Sequence, residues 1–501
     1  MMKKRCTLGF KSLNGNEYIY DDASSMIFPW GKMEEKILNA LEKGKNCYDS
    51  LVSNYNSKTL KNGIDKIAFW KENMGAFYQD DCIEVPNTCD DIVKFIGDNL
   101  TRQLILSVTD DCNLRCKYCI YSDTYQLTKN KSNKYMTIEI AQKAIDYFYN
   151  LIKNQLIKNP RKKIGITFYG GEPLMNMKTV KYSVSYIRQL FGESAYFMMT
   201  SNGLLLNDEN IKFLVENDVG LAISLDGPQC EHDRLRIRVD GSGSFEKIIQ
   251  NICNIKNSYP EYFRKRVNAV CVFDPKTNIE IVEEYYEMLE KTYDIPRAIF
   301  VNKVSNNGTN YYDDFTEQDN VVFNEKINAL TQKYFIKKIN NQNSSSYLSS
   351  IAGGGPMSIL IRRRFDESNR LFVQASGACI PGQKICVNSS GDLDICERVN
   401  GHNTIGNVSN GIEKEKIIKI ITDYNKTALK HCKTCPIKKI CGLCYLNFET
   451  SSGFHENREC CKNHIKTVRN NLTTYVSIRE EKPDCSFIFS SDTIELAIEN
   501  M

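Results

Sequence analysis

The sequence predicts an α/β protein built on a parallel sheet, with a smaller region on either side. Three observations carry that expectation. Six apolar runs alternate with helical patterns between residues 100 and 310. Such alternation makes a parallel sheet with right-handed crossovers, here a partial (β/α)6 barrel. Cys112, Cys116 and Cys119 stand just after the first run, where the C-terminal ends of parallel strands gather chemistry. A second dense set of cysteines follows a polar stretch and predicts a separate C-terminal region over residues 371–470.

The barrel strands are expected at 103–108, 164–169, 196–200, 219–225, 267–273 and 297–301. Helical periodicity lies between them, as over 137–156 and 245–259. Residues 1–95 read as strands at 18–20 and 25–30 around the turn Asp21-Asp22, then helices near 33–42, 47–55 and 63–73. In the last, Ile64, Ile67, Ala68 and Trp70 share a face. Cys82 and Cys89 fall in a linker and receive no role. Residues 311–370 form a bridge, with a polar low-complexity loop at 339–350 and a turn at Gly353-Gly354-Gly355-Pro356. Residues 471–501 are a tail.

Bulk composition excludes several classes. The 501 residues carry 65 basic and 61 acidic side chains, net +4, which makes no electrostatic case for nucleic acid. No apolar signal core or membrane-length run is present, so a soluble cytoplasmic protein is expected. Twenty cysteines against five histidines point to thiolate metal chemistry in a reducing compartment.

Three closely spaced thiolates suit an iron–sulfur cubane, because soft sulfur selects iron–sulfur centres or zinc. Zinc normally takes four ligands in paired spacing, and no second pair lies beside Cys112. With three ligands, one iron of a cubane stays open. Further polar groups fall at strand ends: Gly170-Gly171-Glu172-Pro173, Ser201-Asn202 and Ser224-Leu225-Asp226. Glycines let backbone approach a ligand closely. Next comes His232-Asp233-Arg234-Leu235-Arg236, in which His232 reads as a turn stabiliser.

The C-x3-C-x2-C spacing with Tyr118 before the last cysteine resembles the radical S-adenosylmethionine (SAM) enzymes. The resemblance implies that the open iron chelates SAM, which is cleaved to a 5′-deoxyadenosyl radical that abstracts a substrate hydrogen. It places Glu172 on the SAM amine and SAM contacts at Tyr118, Gly170, Gly171, Pro173, Ser201, Asn202, Ser224 and Asp226. It also places Arg236 on the SAM carboxylate, with Arg234 and Arg238 as alternatives and a solvated arginine cluster as the bland reading.

The C-terminal set resembles the SPASM extension, which carries two auxiliary four-iron clusters. That pattern implies Cys379, Cys386, Cys396 and Cys444 for one, and Cys432, Cys435, Cys441 and Cys461 (or Cys460) for the other. The chain would then hold three [4Fe-4S] clusters. The spacing Cys441-Gly442-Leu443-Cys444 is one residue shorter than usual, and a zinc tetrathiolate of Cys432, Cys435, Cys441 and Cys444 is the rival.

Residues 1–95 resemble the winged-helix-like domain that recognises precursor peptides, which binds a leader by strand addition. Cys396-Glu397-Arg398-Val399 resembles maturases of cysteine-rich peptides, and Glu397 stands where sulfatase maturases carry the aspartate taken as their base, which makes it the catalytic candidate. Together these imply a peptide thioether synthase (sactipeptide or ranthipeptide type) working on a leader-bearing precursor, with flavodoxin or ferredoxin as reductant. The alternatives are a sulfatase maturase that makes formylglycine, in which an aspartate stands where Glu397 does, and an electron-carrying iron–sulfur protein.

Overall fold

A computed structural model describes residues 5–78, 92–127, 131–293, 297–356, 379–398, 404–428 and 430–485. The linker cysteines Cys82 and Cys89, and Val399, lie outside the described residues.

The central sheet has ten strands. Its parallel heart is β4 (Gln103–Thr109), β5 (Ile164–Gly170), β6 (Ala195–Ser201), β7 (Gly220–Ser224), β8 (Val267–Phe273) and β9 (Ala298–Lys303), adjacent in chain order. All six expected strands are present, within two residues at each end. Six of the seven residues of β4 are buried, as expected for a strand covered on both faces. The helix Ile138–Lys158 covers it through Ala141, Ala144, Ile145, Phe148 and Ile152, which share one face. The Thr137 side chain caps that helix by accepting from the Ile140 amide.

Four more strands extend the sheet beyond β4. They are β10 (Lys384–Val387), β11 (Asp392–Asp394), β12 (Thr404–Asn407) and β13 (Gly411–Ile412). β10 runs parallel to β4, with Cys386 opposite Ile105, and the other three add antiparallel. The C-terminal cysteine region is therefore continuous with the barrel sheet, where the sequence suggested a detached unit.

The N-terminal region forms a three-stranded antiparallel sheet of β1 (Thr7–Lys11), β2 (Glu17–Asp21) and β3 (Met26–Pro29). Three helices follow: α1 (Lys32–Glu42), α2 (Cys47–Leu51) and α3 (Ser57–Met74). β1 was not expected. Its residues Thr-Leu-Gly-Phe-Lys bury only Leu8 and Phe10, too short an alternation to stand out.

Three further features differ from expectation. The expected turn at Gly353–Pro356 is helical, continuing from a π-helical turn at Ser349–Gly353. The bridge contains the 23-residue helix Glu317–Ile339. The boundary at residue 470 falls inside the helix Arg458–Glu481, so the tail is in part the second half of that helix. Among the described residues no helix is long and apolar enough to cross a membrane.

Candidate functional site

The C-terminal ends of β4–β7 bring the expected residues together. After β5 the backbone folds directly against the approach to the cysteine loop. Gly171 N donates to Thr109 O at 2.8 Å, and Glu172 N to Asp111 O at 2.9 Å. Gly170 has φ +135°, and a Cβ at Gly171 would overlap the Asp111 carbonyl, so this approach requires the glycine pair. Pro173 opens a 3₁₀ turn capped by the Glu172 side chain.

Glu172 is buried. Its carboxylate accepts from Leu174 N (3.1 Å), Ser201 Oγ (2.8 Å) and Asn202 N (2.7 Å). A carboxylate offers about four acceptor sites, so three protein donors leave capacity for one more, as a ligand ammonium requires. Burial raises its pKa to about 7, against the lowering effect of those hydrogen bonds. Ser224 closes β7 and is buried.

The cysteine loop is stitched to the segment after β7. Arg115 N donates to Ile237 O (2.7 Å) and Lys117 N to Leu235 O (3.0 Å). Three N–H groups aim at sulfur. Leu114 N lies 3.4 Å and Asn202 Nδ2 3.7 Å from Cys112 Sγ, and Arg236 Nη1 3.9 Å from Cys116 Sγ. Burial pushes the Cys112 thiol up to about 11 and the Cys116 thiol to about 12. Such thiols stay protonated at neutral pH unless a metal replaces the proton. Grouped thiols facing N–H donors fit an iron–sulfur centre, whose potential depends on hydrogen bonds to sulfur.

Beneath them Asp226 is the hub. Its carboxylate accepts from Tyr118 Oη (2.6 Å), Arg236 Nε (2.7 Å) and Val272 N (2.9 Å). Both Asp226 and Arg236 are buried, and the guanidinium carbon lies 5.3 Å from the Tyr118 ring centroid. The sequence set both residues toward a ligand; in the structure each is first a partner of the other. Arg234 is bound to Asp274 at 2.9 and 3.0 Å, so of these two arginines it is Arg236 that faces the cysteine loop.

His232 is fully buried, and burial lowers its pKa to about 4. Its Nδ1 accepts from Asp226 N (3.3 Å), its Nε2 meets Ser244 Oγ (3.0 Å), and that hydroxyl donates to Arg236 O (2.8 Å). Asp233 accepts from Ser244 N (2.8 Å) and Phe245 N (2.9 Å) where the next helix begins. The motif is thus a frame that aims Asp226 and Arg236.

Glu397 is half-buried and reaches the same neighbourhood. Tyr121 Oη donates to Glu397 O at 2.9 Å. Burial raises the Tyr121 and Tyr169 phenols, and Glu397, Cys119 and Cys386 are neighbours of both that add to the rise. Neither tyrosine was singled out from the sequence. The only signal was an aromatic residue two positions past Cys119 and another before the glycine pair.

The other C-terminal cysteines divide. Cys432 is pushed up to about 12 by burial, with Cys441 and Cys461 as neighbours, and Cys435 is raised with Cys432 and Cys441 beside it. Cys460 faces Cys441 and Cys444. Both members of the pair thus have a neighbour in this set: Cys461 beside Cys432 and Cys460 beside Cys441. Cys379 faces Arg102, where β4 begins, at the opposite end of that strand from Cys112. Half-buried Cys396 packs against the main core. Among the described residues no three His, Cys, Asp or Glu side chains form a group that could hold a metal ion.

Residues 106–289 match the Radical SAM superfamily. The chain is 30% identical over 185 residues to the serine-type anaerobic sulfatase-maturating enzyme of Bacteroides thetaiotaomicron, covering 36% of this chain and 41% of the relative. It is 29% identical over 163 residues to the radical SAM cyclopropyl synthase TigE of Paramaledivibacter caminithermalis, covering 31% and 33%. It thus spans less than half the length of either relative. Among solved structures it is similar to native anSMEcpe with bound AdoMet and Cp18Cys peptide. There the TM-score is 0.55 and the identity 20%, over 75% of this chain and 98% of the other. That likeness is one of fold.

Proposed function

From the premise that this chain carries a radical SAM domain, we propose that it modifies a ribosomally made, cysteine-rich precursor peptide by joining cysteine thiols to carbon. The observation that carries this reading is the placement of Glu397. The C-terminal cysteine region joins the parallel sheet through β10, the Tyr121 hydroxyl donates to the backbone carbonyl of Glu397, and the Glu397 side chain is an electrostatic neighbour of Tyr121 and Tyr169, which stand beside the cysteine loop and the glycine pair. A carboxylate beside the radical site is what deprotonating a substrate thiol requires.

With a four-iron cluster and SAM bound, the site gains hydrogen-atom abstraction, which no side chain can supply. Cys112, Cys116 and Cys119 hold that cluster, and the N–H groups of Leu114, Asn202 and Arg236 tune it. Glu172 and the glycine pair hold SAM. Tyr118, Asp226 and Arg236 form a buried polar wall that orients the loop. Glu397 takes the proton from the thiol, and the electron left over when sulfur joins carbon would go to a C-terminal cluster where one is bound.

The N-terminal sheet and helices, winged-helix-like, recognise the leader, and the C-terminal region is of SPASM type with two further clusters. The ligands are Cys379, Cys386, Cys396 and Cys444, and Cys432, Cys435, Cys441 and Cys461. Flavodoxin or ferredoxin in the cytoplasm is the reductant.

The test is incubation of the chain with a cysteine-rich precursor, SAM and reductant, followed by mass spectrometry. A loss of two hydrogens per link is expected, and an unaltered peptide refutes the reading. A second reading is favoured by the sulfatase-maturating relative: conversion of a serine or cysteine to formylglycine. An aldehyde on a sulfatase peptide would select it.

A further inference from the structure

The two faces of the N-terminal sheet do different things. Ile19 and Phe28 pack into a core with α1–α3. Leu8, Phe10 and Tyr20 pack instead on Ile437, Ile440, Val468, Leu472 and Val476, with Cys435 against the same cluster. The edge of β1 is covered by the helix Arg458–Glu481: Thr473 Oγ1 donates to Lys11 O (2.7 Å) and Leu13 N donates to Ser477 Oγ (2.7 Å).

At the end of this contact sits the Asp21-Asp22 turn, with both residues buried. Asp21 accepts from Ser24 N (2.9 Å) and from Phe77 N (3.2 Å), just past α3. Asp22 Oδ1 accepts from Lys439 N (2.8 Å), and Lys439 Nζ donates to Ala23 O (2.5 Å). Lys439 lies between Cys435 and Cys441. Neighbouring carboxylates thus hold the end of the helical layer and the middle of a cysteine loop.

We propose that Asp22 is a positioning residue for the Cys435–Cys441 loop, making the N-terminal domain one wall of the C-terminal thiol site. This rests on the reading that those cysteines hold a cluster. The loop has little regular structure of its own, only short 3₁₀ turns at Cys432–Thr434 and Lys438–Ile440. Its internal backbone bond runs from Ile440 N to Ile437 O (3.1 Å), and Asp22 supplies from outside the acceptor for the Lys439 amide. A buried amide without an acceptor is costly, so the loop relaxes when the acceptor is removed.

The test uses the full chain with Cys112, Cys116 and Cys119 changed to Ala, so that all iron and every paramagnetic signal belong to the C-terminal cysteines. This background is expected to hold about eight irons. Asp22→Ala is expected to lower iron about twofold, alter the EPR signal and speed amide exchange over residues 436–441, leaving 7–11 protected. Asp22→Asn keeps an acceptor oxygen and is expected to retain iron and signal. Lys439→Ala, which keeps the amide on Asp22 and removes the ammonium that bonds Ala23 O and neighbours both carboxylates, is expected to give a smaller change in the same direction. Unchanged iron and signal in Asp22→Ala overturn the proposal, as does equal loss in Asp22→Asn or exchange that opens 7–11 as well. A background chain with no iron overturns the cluster reading and this inference together.

Discussion

Asp226 gathers a phenol, a guanidinium and a backbone amide in a buried site, and Arg236 is its ion-pair partner. Removing one partner of a buried ion pair typically costs about 3–5 kcal/mol. Arg236→Ala is expected to lower stability by about that much in a denaturant titration, and to reduce SAM affinity in the reconstituted enzyme. His232 makes a pH prediction. Its folded pKa of about 4 lies below the ordinary value of 6.5, so the unfolded chain binds the extra proton. The stabilising contribution is complete above pH 6.5 and is lost as pH falls through 4, roughly 3 kcal/mol in all. Thermal unfolding from pH 7 to 4 should show that slope, and His232→Gln should flatten it. Changing Cys112, Cys116 and Cys119 together to Ala is expected to abolish reductive SAM cleavage, measured as 5′-deoxyadenosine. Retained cleavage would refute the assignment of the loop.

Among the elements, the turn after β5 depends on steric fit. A methyl group at Gly171 meets backbone, which cannot rotate away. Gly171→Ala is therefore expected to cost about 1–3 kcal/mol, seen as a lower melting temperature, and to displace Glu172. All six barrel strands were legible because buried parallel strands are continuous apolar runs bounded by turns. β1 and the helix Glu317–Ile339 were not. β1 is short, and that helix spreads its apolar residues around its circumference, burying only Phe323, Leu330 and Tyr334. Pairing of β10 with β4 was equally hidden. A four-residue strand carries no mark of its partner, and about 280 residues of sequence separate these two.

The whole molecule is held by contacts between its two ends. The apolar face of the N-terminal sheet covers Val468, Leu472 and Val476, so removing residues 1–95 would expose it. That truncation is expected to aggregate or lose C-terminal iron, measured by light scattering and metal analysis. Reconstituted full-length chain should hold about twelve irons if three cubanes form, and four or fewer would sink the auxiliary assignment.

From the sequence alone came the six parallel strands, the thiol motif after the first of them and the polar residues at the ends of β5–β7. Local periodicity and spacing carry that information. Only the tertiary structure decided that Asp226 and Arg236 serve each other, that Tyr121 meets Glu397, and that the N-terminal turn holds the Cys435–Cys441 loop. Each of these contacts joins residues with no shared periodicity, between ten and more than four hundred positions apart. They exist because buried polar groups must find partners wherever the packed elements place them.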